Sequence, residues 1–123
     1  MNQLKRIQKD CRCPLFLDDL TRQMYASDAS VYQVSPLGVA YPREVSETAE
    51  LMAACAAADV PMIPRGAGSG LAGGALGEAL ILDLSRYNRA ITDFDREART
   101  VRVGAGVVLD QLNEFLKPYG LTF

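Results

Sequence analysis

A chain of 123 residues with 49% hydrophobic side chains is one domain's worth of polypeptide with enough apolar material for a core. Its 13 basic and 15 acidic residues nearly balance, which argues against a nucleic-acid face, and no apolar run approaches the ~20 residues of a membrane span. Three cysteines, an odd number, fit a reducing compartment rather than a disulfide framework, and no histidine is present to build a Ser-His-Asp or Cys-His site. Cys11 and Cys13 are too close together for the usual zinc pair, so no metal site is expected. The N-terminus leads into no long apolar stretch, so no signal peptide is expected. The expected location is the cytoplasm, at most peripheral to the inner face of the membrane.

Residues 1–27 read as a helical arm. Leu4, Ile7 and Cys11 recur at helical spacing, as do Phe16 or Leu17, Leu20 and Met24, and Pro14 separates the two halves. A small, polar loop runs from Tyr25 to Tyr32. Val39-Ala40-Tyr41 reads as a short buried strand ended by Pro42. A helix starts near Glu44–Ser46, with Val45, Ala49, Met52 and Ala56 on one face and Leu51 and Cys55 beside them. Val60-Pro61-Met62-Ile63 opens the next strand, and Ala79 to Leu84 a buried one. Ala90–Phe94 and Arg99–Val103 form a hairpin. A glycine turn, Gly104-Ala105-Gly106, precedes a short helix from Leu109 to Leu116. Leu121-Thr122-Phe123 reads as the start of a further strand, which suggests a fragment of a longer protein.

Five of the ten glycines fall between Gly66 and Gly74, where Arg65 is the only neighbouring charge. Glycine runs admit positive φ and remove Cβ atoms, so consecutive amides can converge on an anion. A flexible surface turn would carry more solubilising residues. A Walker A loop fails, because Gly74 stands where its lysine is required. Gly68-Ser69-Gly70-Leu71-Ala72-Gly73 matches the dinucleotide pattern G-x-G-x-x-G, but the short stretch to the next strand, interrupted by Gly77, has no room for the required helix. A strand-to-strand loop that wraps a pyrophosphate with its amides remains.

At this point several ordered segments carry a resemblance. They are Tyr25-Ala-Ser-Asp-Ala-Ser-Val-Tyr32, Val39-Ala-Tyr-Pro-Arg-Glu-Val45, Pro61-Met-Ile-Pro-Arg-Gly-Ala-Gly-Ser-Gly-Leu71, Ile81-Leu-Asp-Leu-Ser85 and Thr100-Val-Arg-Val-Gly-Ala-Gly-Val107. From Tyr25 onward the chain resembles the start of the flavin-binding domain of the vanillyl-alcohol oxidase/p-cresol methylhydroxylase superfamily. Within it, the D-lactate, glycolate and D-2-hydroxyglutarate dehydrogenase branch is the nearest likeness.

The resemblance implies an α+β fold, the first α/β subdomain of a p-cresol methylhydroxylase-type FAD-binding domain: a small mixed sheet flanked by helices. Residues 28–123 would be its N-terminal part, behind the arm of residues 1–27. The backbone from Arg65 through Gly66, Ala67, Gly68, Ser69 and Gly70 to Leu71 would hold the FAD pyrophosphate, with Ser69 adding a hydroxyl. Pro64 would fix the way into the loop, and Gly73 and Gly74 would let the chain pass close to the cofactor. Gly104 and Gly106 resemble a second approach to the nucleotide, although Ala105 replaces the proline common in the family. Without histidine, FAD would be bound non-covalently. The implied activity is oxidation of a small 2-hydroxy acid, with electrons passed to another acceptor. The substrate residues would lie later in the parent protein, where some relatives also carry an iron–sulfur domain, so no catalytic residue is expected here. The alternative is a non-catalytic α+β module or accessory subunit whose glycine loop is structural.

Individual charges and rings have plainer readings. Arg65 is either a phosphate contact or a conformational anchor. Asp83 is expected to meet a turn amide or Ser85. Tyr25, Tyr32 and Tyr41 are expected to pack, and Arg86 and Arg89 read as solvated loop charges.

Overall fold

In the computed structural model, which describes residues 2–123, the segment Leu80–Asp83 (β4) is buried at every position. A strand without a wet face belongs inside a sheet. β4 lies between two parallel neighbours, Gly38–Ala40 (β2) and Met62–Arg65 (β3). Leu15–Phe16 (β1) pairs antiparallel with β2, so the order is β1-β2-β4-β3. β3 is an edge strand, which is where a proline such as Pro64 is tolerated without losing a ladder hydrogen bond.

Alternation along the strands builds two apolar layers. Ala40, Leu80 and Leu82 join Leu51 and Cys55 of the helix Val45–Ala57 (α3) and Leu4 and Ile7 of Asn2–Asp10 (α1). Val39, Tyr41 and Ile81 pack on the opposite face with Tyr25 and Ile63.

Two expectations for the helices are corrected. The apolar spacing in α3 points to Val45, Ala49, Met52 and Ala56, yet the buried stripe is Glu47, Leu51 and Cys55, and Val45 is 80% exposed. Glu47 can be buried because the Arg43 amide (2.9 Å) and Nε (3.0 Å) donate to its carboxylate at the positive end of the helix. An apolar count passes over a stripe that contains a paired charge. The second helix, Asp19–Met24 (α2), leaves Leu20 74% and Met24 64% exposed. The inward anchors of this segment are instead Cys13 and Leu15, on either side of Pro14, whose carbonyl accepts from the Tyr41 amide at 2.9 Å. The N-terminal segment therefore contributes an edge strand between its two helices.

Ile91–Asp95 (β5) and Thr100–Val103 (β6) form a separate antiparallel hairpin with an irregularity between Thr92 and Asp95. It packs on Leu109–Leu116 (α4) and the 3-10 turn Lys117–Tyr119 through Phe94, Phe115 and Tyr119, whose ring centroids lie 4.7–6.2 Å apart. The final residues are not a strand. The Phe123 amide instead donates to Asn113 Oδ1 at 2.8 Å. Among the described residues, no helix is long and apolar enough to cross a membrane.

Candidate functional site

β3 and β4 are parallel neighbours, so the chain leaving β3 must cross to the far end of the sheet before β4 begins. Residues 66–79 make that crossing without a helix. The glycine loop thus starts at the carboxyl ends of the parallel strands, the edge at which open α/β sheets bind ligands. The C-terminal ends of β2 and β4 bring Tyr41 and Asp83 to the same edge.

A cleft of about 510 Å³ opens there. It is lined by Gly66, Ala67 and Ser69 of the loop and by Ala105, Gly106, Val107 and Val108 of the second glycine turn and the start of the helix after it. Ser85 and Arg89 complete the wall. The two glycine segments, distant in sequence, therefore face one space. They are brought together by tight packing: a Cβ on Gly106 would stand 2.1 Å from the Leu84 carbonyl oxygen, and the Gly106 amide donates to Asn88 O at 2.8 Å. Gly104 packs on Asn88 in the same way.

The remaining predicted positions have different surroundings. Pro64 ends in the edge strand, and Gly70, Leu71 and Gly74 lie exposed further along the loop. Gly73 takes φ +76° against the Tyr32 ring. Gly68 takes φ +67°, where an added Cβ would collide with the Arg65 guanidinium. The Arg65 guanidinium lies against Gly68, and Arg65 is not among the residues that line the cleft. Its Nη1 and Nη2 donate to the carbonyls of Tyr25 (3.3 Å) and Ser27 (3.0 Å), and its guanidinium lies 5.1 Å from the Tyr25 ring centroid. These contacts favour the conformational-anchor reading of Arg65. The Ala29 amide closes the junction by donating to Gly68 O at 2.9 Å.

Asp83 supports this junction from beneath. It is 7% exposed, accepts the Tyr25 hydroxyl, and takes both the Ser85 amide (2.8 Å) and hydroxyl (2.6 Å) on Oδ1. Burial first, and Asp83 second, push the Tyr25 hydroxyl above its ordinary pKa. On the other side of the loop, the Ser30 hydroxyl and amide hold the Asp28 carboxyl below its ordinary value.

The loop fits an anionic cofactor on two observations. Among the described residues, no backbone carbonyl accepts from any amide between Gly66 and Ala72. Where Cβ atoms would stand on Gly66 and Gly70 there is open space within 4 Å. A run of unpaired donors over unfilled space is the arrangement that takes pyrophosphate oxygens. No cysteine lines the cleft: Cys13 and Cys55 are buried and Cys11 packs against the core.

The sequence reads Arg89 as a solvated loop charge; the residue is indeed exposed, and it is also the one charged residue lining the cleft. Its place between the buried strand and the second glycine turn was the available signal. Its side chain donates to Gln111 of α4 at the exposed surface, a contact with a distant segment.

The chain is 38% identical over 122 residues to the D-2-hydroxyglutarate dehydrogenase of Haemophilus influenzae, covering 93% of this chain and 12% of that protein. It is 35% identical over 89 residues to the mitochondrial D-lactate dehydrogenase [cytochrome] of Kluyveromyces lactis, covering 69% of this chain and 16% of the relative. The chain thus spans only about a tenth of the length of the D-2-hydroxyglutarate dehydrogenases it matches. Among solved structures, an alkyldihydroxyacetonephosphate synthase superimposes with a TM-score of 0.79 at 19% identity, over 97% of this chain and 25% of the other, a likeness of fold. The model of the FAD binding domain family matches residues 36–123, from before β2 through both glycine segments to the last residue, and the chain belongs to that family.

Proposed function

We propose that the chain is the pyrophosphate-holding portion of a flavin-dependent dehydrogenase that oxidises a small 2-hydroxy acid such as D-2-hydroxyglutarate, D-lactate or glycolate. The observation that carries this reading is the open run of amides from Gly66 to Ala72 beside the cleft. When bound, FAD supplies a two-electron acceptor for oxidising the carbinol carbon. The chain's own residues bind and orient. Backbone donors of residues 66–71 and the Ser69 hydroxyl meet the phosphates, with Pro64 and Arg65 setting the loop's direction. Gly73 and Gly74 let its far limb pass close to the cofactor, and Gly104 and Gly106 set a second approach to the nucleotide. The absence of histidine and the placement of the cysteines support non-covalent binding. No residue here is assigned to substrate chemistry, which falls to the rest of a longer polypeptide, with an iron–sulfur domain or a separate electron acceptor downstream. Three free thiols support a cytoplasmic setting.

Equilibrium dialysis of the purified chain against FAD tests the cofactor step. A yellow protein that releases FAD on denaturation supports it, and a chain that takes up none counts against it. For the substrate, the polypeptide containing this segment is mixed with each acid and a dye acceptor. Dye reduction by one of the three acids is expected, and reduction by none removes the 2-hydroxy acid assignment.

A further inference from the structure

We infer that Arg89 is the cation that meets the phosphates in this cleft, an inference resting on the FAD reading above. The neighbouring arginines are already engaged. Arg65 gives its guanidinium to the Tyr25 and Ser27 carbonyls. Arg86 lies 4.9 Å from the Tyr41 ring centroid. Arg89 alone among the charged residues lines the cleft, together with Gly66, Ala67 and Ser69. Of its five guanidinium donors, one is used inside the protein, from Nη2 to Gln111 Oε1 at 2.8 Å. That bond ties the guanidinium to the first half of α4, whose start at Val108 and Leu109 also lines the cleft. The side chain is exposed and Gln111 is its one side-chain partner, so its remaining donors are free for phosphate oxygens. Unpaired amides and a guanidinium that line the same cleft suit a group with several anionic oxygens, as a pyrophosphate has.

The test compares the parent chain with Arg89→Gln and Gln111→Leu, titrating FAD, ADP and riboflavin at low and high salt. The parent is expected to bind FAD and ADP with an affinity that falls as salt rises. Arg89→Gln is expected to weaken both by about tenfold and to flatten the salt dependence, since a charge-assisted contact is lost. Riboflavin, which carries no phosphate, is expected to respond to neither substitution. Gln111→Leu severs the same tether but keeps the charge, so the salt dependence persists. The inference is overturned if Arg89→Gln binds FAD as the parent does, or if Gln111→Leu loses as much affinity and salt dependence as Arg89→Gln. A parent chain that binds neither FAD nor ADP overturns the cofactor reading itself, and with it the inference.

Discussion

Tyr25, the residue that ends α2, donates its hydroxyl to Asp83 across a partly buried junction with the carboxyl end of β4. The same carboxylate holds Ser85 on the cleft wall, and the Tyr25 ring lies beneath Arg65. One buried acid thus braces the strand-to-loop connections on both sides of the cleft.

Removing a partner from this junction leaves a buried polar group unsatisfied. Tyr25→Phe is expected to cost about 1–2 kcal/mol, and Asp83→Ala, which orphans several donors at once, about 2–4 kcal/mol. Urea titrations should show the midpoint falling with an unchanged slope. The Tyr25 hydroxyl also carries a pH signature. Its folded pKa is raised, so its contribution is fully present below the ordinary tyrosine value of ~10 and is lost as pH rises beyond it. The parent should lose stability on the alkaline side faster than Tyr25→Phe. Parallel alkaline limbs would show that the hydroxyl is not buried in this bond.

Glu47 has the opposite sign. The Arg43 side chain and amide hold its carboxyl below the ordinary glutamate range, despite burial that opposes ionisation. Its contribution is fully present above the ordinary value of ~4.5 and is lost as pH falls through the lower folded value. Glu47→Gln should therefore be less stable than the parent at neutral pH, with the gap narrowing in acid. Denaturant midpoints measured across the acid range check this. A gap that stays constant would mean that the pairing with Arg43 does not set the titration.

How much of this was legible in the sequence differs from element to element. β4 was legible because an unbroken apolar run ending in Asp83 has few other homes. The hairpin was legible from the alternation of Thr100 to Val103. The glycine loop declared itself by composition, and the absence of a following helix separated it from the dinucleotide fold. The buried face of α3 was not legible, because Glu47 is buried only through Arg43, a pairing that exists once the first turn has formed. Nor was the contact of Arg89 with Gln111 legible, since its acceptor comes from a segment that the chain reaches only after the hairpin. Local propensity and periodicity read what neighbouring residues decide. Pairings made by packing stay hidden until the elements meet.

The cysteines give a labelling prediction. Burial pushes the Cys13 thiol up to about 11, with nearby Glu47 adding to the effect, and burial raises Cys11 and Cys55 as well. Thiolate is the reactive form, so iodoacetamide at neutral pH should modify the folded chain slowly. Cys11, the partly exposed one, is expected to react first, and all three should react rapidly in denaturant. Mass spectrometry of timed samples resolves the order. Labelling of Cys55 in the native protein at the rate of Cys11 would contradict the packing of α3 on the sheet.

The glycines of the main loop separate into those the fold needs and those a ligand needs. Gly68 sits at φ +67°, with Arg65 where a Cβ would go, so Gly68→Ala combines backbone strain with displacement of the anchor. It is expected to cost about 1–2 kcal/mol of stability whether or not cofactor is present. Gly66 has ordinary φ and nothing within 4 Å of the added atom. Gly66→Ala should leave the urea midpoint nearly unchanged. It should weaken FAD, because the new methyl group enters the space that the pyrophosphate takes beside the open amides. Measuring the urea midpoint without ligand and the FAD affinity of each variant separates the two roles. If Gly66→Ala keeps both stability and affinity, the phosphates do not approach this part of the loop, and the cradle must lie further along, toward Gly70.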